Sequence, residues 1–139
     1  VYTREQNFGG QQLLDEIQRR YALPRDQATQ KLIDGTLPPA FETELLTPFK
    51  ETLAQQIGRA LQFFYSASTF NRVDRIILAG GSAGIRKIEE LVEERLGIHT
   101  LVANPFSHMS LAPQIKAQEI SRDAPSLMIA VGLALRGFD

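Results

Sequence analysis

A run of glycines between an apolar stretch and a helical pattern constrains this chain more than any other feature. Residues 73–79 (VDRIILA) predict a short buried strand, and residues 80–84 (GGSAG) follow it directly. A helix with apolar residues facing inward is predicted next, starting at Ile85 and ending at Gly97. Residues 98–103 predict a second strand. This strand–helix–strand order predicts a parallel α/β pair with a right-handed crossover.

The N-terminal half is predicted to be mostly helical. Residues 1–4 are β-prone, and Gly9-Gly10 then open a helix with apolar residues at helical spacing. A second short helix is predicted between Pro24 and Gly35. The longest helical pattern covers residues 48–66, and its apolar stripe requires another element to cover it.

The last helix of the chain is predicted at residues 124–136. Its residues are nearly all small and apolar, so it has no polar face. We therefore expect it to lie deep in the protein. Residues 104–123, which precede it, carry no clear pattern.

The composition excludes several classes of function. Sixteen acidic and fifteen basic residues give a net charge of −1, so neither nucleic acid nor an anionic membrane surface is an expected partner. The chain has no cysteine, which excludes disulfides and thiolate metal sites. Its apolar runs fall short of the about 20 residues that span a bilayer, so direct membrane insertion is not expected. The chain starts at Val1 without a methionine, which suggests a fragment.

The glycine run is the main candidate for a binding site. Glycines let a ligand approach the backbone, and a helix N-terminus offers unpaired N–H groups. Arg86 and Lys87 are predicted in the first helical turn, where the helix dipole disfavours cations, and this indicates an anionic ligand. Two solvated side chains beside a tight turn explain the pattern equally well. The candidate ligand-binding residues are Gly80, Gly81, Ser82, Gly84, Ile85 and Arg86.

Other chemistry finds little support in the sequence. The glycine run is not a dinucleotide fingerprint, because Ala103-Asn104 replace the acidic residue expected at the end of the second strand. It is not a P-loop either, because no Gly-Lys-Ser/Thr follows. His99 and His108 lack further ligands at metal spacing. No catalytic or metal-binding residue is predicted.

Two motifs resemble the superfamily of actin, DnaK-type chaperones and FtsA. Residues 77–85 (ILAGGSAGI) are similar to its adenosine motif, and residues 130–134 (AVGLA) to its second connecting motif. Within that superfamily the chain resembles the PilM family of type IV pilus assembly. The stretches that carry this resemblance are residues 4–13 (REQNFGGQQL), 61–64 (LQFF), 98–106 (IHTLVANPF), 123–125 (DAP) and 132–136 (GLALR).

This resemblance implies an α/β fold, an actin-like (ribonuclease H-like) lobe with an inserted small α-rich subdomain. Residues 1–8 and 66–139 would form subdomain 2A, and residues 9–65 the inserted subdomain 2B. The chain would then be the second, C-terminal lobe of a longer protein. The phosphate-binding hairpins and the catalytic acid of such proteins would precede Val1.

The resemblance also implies a function. PilM-like proteins are cytoplasmic, ATP-binding scaffolds that lie at the inner face of the bacterial inner membrane. They support pilus biogenesis and twitching motility, bind ATP with Mg²⁺, form homo-oligomeric rings, and bind the membrane protein PilN through the lobe that this chain lacks. The sequence departs from the superfamily pattern in three places: Gly84 stands where chaperones have an arginine, and Arg86 where a proline is common. The third is Leu32, which stands where relatives have a lysine near the nucleotide, with Lys31 one position earlier.

Three hypotheses follow for the function. The first is a nucleotide-gated scaffold, to which this chain contributes the adenosine side of the cleft. The second is a pure protein–protein interaction module with a vestigial cleft. The third is a small α/β enzyme that uses the glycine run for a dinucleotide, against which the missing acidic residue counts. Whether the protein hydrolyses ATP is left open, and the chain alone is not expected to be an enzyme.

Overall fold

Residues 2–138 are described by a computed structural model, which divides the chain into two compact units with the boundary between Arg72 and Val73. We describe each unit by itself. Val1 and Asp139 lie outside the described residues. The assignment of residues 1–8 and 66–139 to one subdomain and 9–65 to another refers to a larger fold and stays a prediction.

Three helices build the first unit, as predicted. They are α1 (Gly10–Tyr21), α2 (Arg25–Asp34) and α3 (Thr47–Ala67). Leu13 and Ile17, one helical turn apart on α1, are both buried. Gly35 ends α2 with φ of 64°, a left-handed conformation that glycine adopts without steric cost.

A π-helical turn at Glu42–Leu46 runs directly into α3, and the sequence pattern did not reveal it. A π turn contains one more residue than an α turn. Residues 42–46 therefore do not continue the 3.6-residue period that predicts a helix over residues 48–66. The turn places Glu42 beside Lys50, whose side chain is only 8% exposed, with 3.4 Å between Lys50 Nζ and Glu42 Oε1. The buried lysine therefore has an anionic partner.

The N-terminal segment, residues 2–8, lies along α3. Tyr2 contacts Phe64 edge-on at 5.9 Å between ring centroids, and Phe8 stacks on Phe49 at 5.0 Å. Between these contacts, the guanidinium of Arg4 lies 3.7 Å from the ring centroid of Phe63. Six extended residues span about 20 Å and fifteen helical residues about 22 Å, so the segment runs antiparallel to the helix.

This arrangement corrects the strand predicted at residues 1–4. Residues 2–6 have no regular secondary structure. A strand requires hydrogen bonds to a neighbouring strand, whereas this segment contacts α3 through side chains. The β-prone residues Tyr2 and Thr3 are therefore extended without belonging to a sheet.

The second unit contains the predicted parallel pair. Strand β1 (Ile76–Leu78) pairs in parallel with β2 (Thr100–Val102), and Ile77 lies opposite Leu101. Helix α4 (Ile88–Leu96) connects them, with Ile88 and Val92 fully buried, and Gly97 ends it with φ of 66°. The α/β class is confirmed at this level, while the actin-like lobe stays a prediction.

One face of the strand pair is open. Ile77 is 60% exposed and its partner Leu101 is 40% exposed. The prediction of a buried strand at residues 73–79 is therefore wrong, and the strand itself covers only three of those residues. A continuous apolar run indicates a strand that can be buried on both faces. It does not show whether this chain contains the elements that pack on those faces.

The C-terminal part forms a series of short helical segments. Helix α5 (Ala117–Asp123) is followed by a 3₁₀ turn at Ala124–Leu127, by α6 (Met128–Leu135) and by a final 3₁₀ turn at Arg136–Phe138. The single helix predicted over residues 124–136 is therefore divided.

The expected burial of this last helix is wrong. No residue of α6 is buried, and Ile129 and Leu133, one helical turn apart, are 79% and 60% exposed. Within the described residues of the second unit, no element covers this face. A helix that is apolar on all sides indicates only that a cover is needed.

Candidate functional site

The turn that follows β1 has a backbone that requires glycine. Gly80 has φ of 95° and ψ of 178°, a combination that essentially only glycine adopts. The next four residues, Gly81–Gly84, form a single 3₁₀ turn. We call residues 80–84 the glycine turn. Because of the backbone conformation of Gly80, a glycine is required where the chain leaves β1.

The glycine turn does not open α4 directly, which corrects the predicted strand-to-helix junction. Ile85 is extended, and Lys87 has φ of 58° in the left-handed region, so the helix begins only at Ile88. A residue with left-handed backbone cannot continue a right-handed helix. The unpaired N–H groups at the start of α4 therefore follow Lys87 rather than the glycines.

The argument for an anionic ligand from Arg86 and Lys87 is wrong for the same reason. Neither residue lies in the first turn of α4, which instead contains Glu89 and Glu90, the acids that the helix dipole favours there. Lys87 Nζ lies 3.7 Å from Glu90 Oε2. Both cations therefore precede the helix, and their presence does not point to a bound anion.

The six candidate binding residues lie on one continuous stretch, residues 80–86. Gly81 and Gly84 are exposed, while Gly80 and Ser82 are half-buried. A Cβ atom placed on Gly80 would meet no atom within 4 Å, so the space beside this part of the turn is open.

The structure adds a second element to the turn, residues 122–126, which the sequence did not indicate. The N–H of Gly80 donates a hydrogen bond of 2.7 Å to the carbonyl oxygen of Pro125. A Cβ atom on Gly84 would lie 3.9 Å from the carbonyl oxygen of Arg122, and one on Gly81 would lie 4.0 Å from Ser126 Oγ. The glycine turn thus packs against the end of α5 and the 3₁₀ turn that follows it.

The groups around the glycine turn are polar but mostly uncharged. The hydroxyls of Ser82 and Ser126 have no hydrogen-bond partner among residues 2–138. Arg122 Nε is paired with Asp123 Oδ1 at 3.2 Å. Open backbone and free hydroxyls suit a neutral polar group, such as a base or a sugar, better than a polyphosphate.

A second polar cluster joins α4 to β2. Glu93 Oε2 accepts a hydrogen bond of 2.9 Å from the backbone N–H of Thr100 and lies 3.0 Å from His99 Nδ1. The hydrogen bond from Thr100, followed by that from His99, lowers the pKa of Glu93 below its ordinary value. The side chains of Glu93 and His99 are exposed, so we assign this cluster to the helix–strand junction.

Clusters that could hold a metal ion and helices that could span a membrane are both absent from the described part of the chain. No group of three or more His, Asp and Glu side chains there is arranged to hold a metal ion. None of the helices described combines the length and the apolar character needed to cross a bilayer.

The first unit contains an open groove of about 360 Å³ that includes no residue of the glycine turn. Its walls come from the N-terminal segment, α1, the π turn and α3. The lining residues are Phe8, Gln12, Leu13, Glu16, Glu44, Leu45, Pro48, Phe49 and Thr52. Both acidic side chains at this groove are ion-paired, Glu16 with Arg19 and Glu44 with Arg20. The groove therefore offers no free charge for a ligand.

Known proteins match the chain over its whole length. A family model described as type IV pilus assembly protein PilM matches residues 1–138. Among solved structures, the chain is similar to one described as a PilM-PilN type IV pilus biogenesis complex, with a TM-score of 0.79 and 22% sequence identity. The match covers 100% of this chain and 40% of that chain, so this chain spans less than half the length of the protein it matches. At this identity the likeness shows a shared fold.

Proposed function

The chain belongs to the type IV pilus assembly PilM family, and from this membership we propose that it is part of an ATP-binding scaffold of the pilus assembly machinery. In this proposal the chain is one lobe of an actin-like protein, and its glycine turn holds the adenosine part of ATP. The scaffold lies in the cytoplasm at the inner face of the inner membrane. There it supports pilus biogenesis and twitching motility.

The observation that carries the ATP proposal is the open glycine turn after β1. Gly80 adopts a conformation that other residues avoid, and the space that a side chain would take is empty. A flat base or a ribose can approach the backbone there, because no Cβ atom stands between ligand and chain. The candidate contacts belong to the glycine turn and to the two residues that follow it. They are Gly80, Gly81, Ser82, Gly84, Ile85 and Arg86.

The chemistry of the turn supports a contact with the nucleoside part of ATP. Free hydroxyls and backbone groups match the hydrogen-bonding edges of a nucleoside, while a triphosphate requires cations or a helix N-terminus. Since α4 begins only at Ile88, that N-terminus does not adjoin the glycines, and Arg86 is the single cation among the candidate contacts. We therefore assign the phosphates and their Mg²⁺ to residues outside this chain, and we expect the chain alone to bind ATP weakly or not at all.

The proposed partner is PilN, the second protein in the description of the similar complex. Following the family resemblance, we place the PilN groove in the lobe that this chain does not include, and we propose that the complete scaffold forms a homo-oligomeric ring. A pull-down with the N-terminal tail of PilN tests the placement. The complete protein should retain the tail and residues 1–139 alone should not; retention by the 139-residue chain would show that the groove is misplaced.

A specific observation favours a second function, a pure interaction module. The apolar face of α6 and the open face of β1 and β2 are exposed in this unit, and exposed apolar surface of this kind is typical of contact sites. In that case the glycine turn shapes the backbone without binding a nucleotide. The two functions differ in whether ATP binding depends on the turn.

Gly81→Asp separates the two functions. The backbone of Gly81 is not in the left-handed region, and an added Cβ would meet only Ser126 Oγ at 4.0 Å, so the variant should fold. Its carboxylate occupies the space proposed for the nucleoside and repels the phosphates. We expect the affinity for a fluorescent ATP analogue, measured in the longest natural chain that contains these residues, to fall about tenfold or more.

Gly137→Asp is the matched control, because a Cβ at Gly137 also meets open space and the added charge is the same. It should bind the analogue like the unmodified protein. Equal affinities for Gly81→Asp and the unmodified protein would contradict the assignment of the site and favour the interaction module.

A further inference from the structure

We infer that the hydroxyl of Ser126 is a second hydrogen-bonding group of this site and contacts the nucleoside part of the bound nucleotide. The inference rests on the proposed function, since it concerns a ligand held at the glycine turn. It adds a residue from the C-terminal part of the chain, 45 positions after Gly81 in the sequence.

The position of Ser126 is the first argument. Apart from Gly81 and its two chain neighbours, its Oγ is the one atom of the described residues within 4.0 Å of the point where a Cβ of Gly81 would stand. The hydroxyl therefore borders the space that the missing side chain leaves open. A ligand that lies against the Gly81 backbone enters hydrogen-bonding range of this oxygen as it fills that space.

The anchoring of Ser126 is the second argument. The residue before it, Pro125, accepts the Gly80 N–H hydrogen bond of 2.7 Å, and both residues belong to the 3₁₀ turn Ala124–Leu127. Pro125 is buried and has a restricted φ. The backbone of Ser126 is therefore held beside the glycine turn before any ligand arrives, which lowers the entropy cost of the contact.

The chemistry of the group is the third argument. A serine hydroxyl donates one hydrogen bond and accepts others, and that of Ser126 has no partner among residues 2–138. It carries no charge, so it can serve either the ring nitrogens of a base or the hydroxyls of a ribose. Both belong to the nucleoside, and the phosphates do not.

Ser126→Ala tests the inference in the longest natural chain that contains these residues. Removing one neutral hydrogen bond should weaken binding of the fluorescent ATP analogue by about two- to tenfold. Unlabelled adenosine, measured by competition, should lose affinity by the same factor, because it contains the group that Ser126 contacts. Ser126→Thr keeps the hydroxyl and should restore most of the affinity for both ligands.

Ser121→Ala is the matched control, since Ser121 is an exposed serine on α5 and lies more than 4 Å from a Cβ placed on Gly80, Gly81 or Gly84. It should bind both ligands normally, and circular dichroism should show all variants folded.

If Gly81→Asp loses the ATP analogue and Ser126→Ala binds it normally, the inference is wrong and the proposed site stands. If both variants bind normally, the site itself is wrong. A loss for ATP without a loss for adenosine would move the contact to the phosphates and contradict the inference.

Discussion

Helices α3 and α6 are both rich in apolar residues, but they differ in how much of their apolar surface is buried. In the first unit, Phe49 and Ala54 of α3 are buried, and the segment of residues 2–8 contacts aromatic rings along the helix. In the second unit, α6 has no buried residue, and Ile129 is 79% exposed. One unit thus uses an extended segment of its own to cover a helix, and the other leaves a helix uncovered.

This difference shows that apolar character and burial are separate properties of a segment. The apolar stripe of α3 has a direction, so its own unit can be folded against it. Helix α6 is apolar on all sides and gives its unit no preferred face to cover. The exposed face, together with Ile77 and Leu101, is where we expect this unit to contact other protein surfaces.

The largest expected effect tests the contrast between buried and exposed isoleucines. Ile17→Ala in α1 and Ile88→Ala in α4 remove fully buried side chains, and each should lower the free energy of unfolding by about 2–5 kcal/mol. Ile129→Ala in α6 should change it by about 0.5 kcal/mol or less. Urea unfolding followed by circular dichroism measures all three. An equal loss at Ile129 would mean that α6 is covered in solution, and the contrast with α3 would fail.

An intermediate effect tests the backbone of the glycine turn. Gly80→Ala forces a Cβ into a conformation available essentially to glycine alone and should cost about 1–3 kcal/mol. Gly81→Ala lies one residue further, without a positive φ, and should have a much smaller effect. Thermal unfolding of the two variants compares them directly. If both lose the same stability, the requirement for glycine comes from crowding rather than from the φ of Gly80.

The smallest effect concerns Glu93, whose side chain connects α4 to β2 by accepting a hydrogen bond from the Thr100 N–H. Its pKa is lowered in the fold, first by the Thr100 N–H and then by His99, so its contribution to stability is complete above the ordinary glutamate pKa of about 4.3. The contribution is lost as the pH falls through the lower pKa of the folded state. Glu93→Gln should therefore flatten the acid side of a stability–pH curve.

Glu94→Gln, an exposed glutamate at the next position of α4, is the control for this titration. It should leave the acid side of the curve nearly unchanged. Urea midpoints between pH 3 and 7 provide the measurement. An identical flattening in both variants would assign the effect to the net charge of α4 rather than to the contacts of Glu93.

Much of the secondary structure could be predicted because it depends on local patterns. The helix periods of α1 and α3 and the left-handed glycines at Gly35 and Gly97 follow from neighbouring residues alone. The parallel pairing of β1 and β2 also follows, since a helix between two short apolar strands leaves few other topologies. The resemblance to the PilM family, drawn from the same residues, is confirmed by the family match.

Features that depend on departures from a pattern could not be predicted. The π turn at Glu42–Leu46 inserts one residue into a helical period, and Lys87 adopts a left-handed backbone without being a glycine. The residue type at these positions carries no signal for either. The exposure of α6 could not be predicted either. An apolar helix must pack against another element, but the sequence does not show whether that element belongs to this chain.

The candidate site was predicted in part. The glycines were identified because an apolar strand that ends in paired glycines is visible in the sequence, and Gly80 has the unusual conformation that this suggests. The residues that back the turn, Pro125 and Ser126, lie more than 40 positions away and meet it only through tertiary packing. Whether the six residues bind ATP stays a prediction.

The parallel strand pair also bears on how this unit folds. Ile77 and its partner Leu101 are 24 positions apart, and the 9 residues of α4 lie between them. The entropy cost of closing a loop grows only with the logarithm of its length, and a helix that forms within the loop shortens the flexible part. The pair is thus a contact between residues far apart in the sequence, and parallel pairing of this kind forms slowly. We expect α4 to form before β1 and β2 pair, since the helix shortens the loop that the pairing must close.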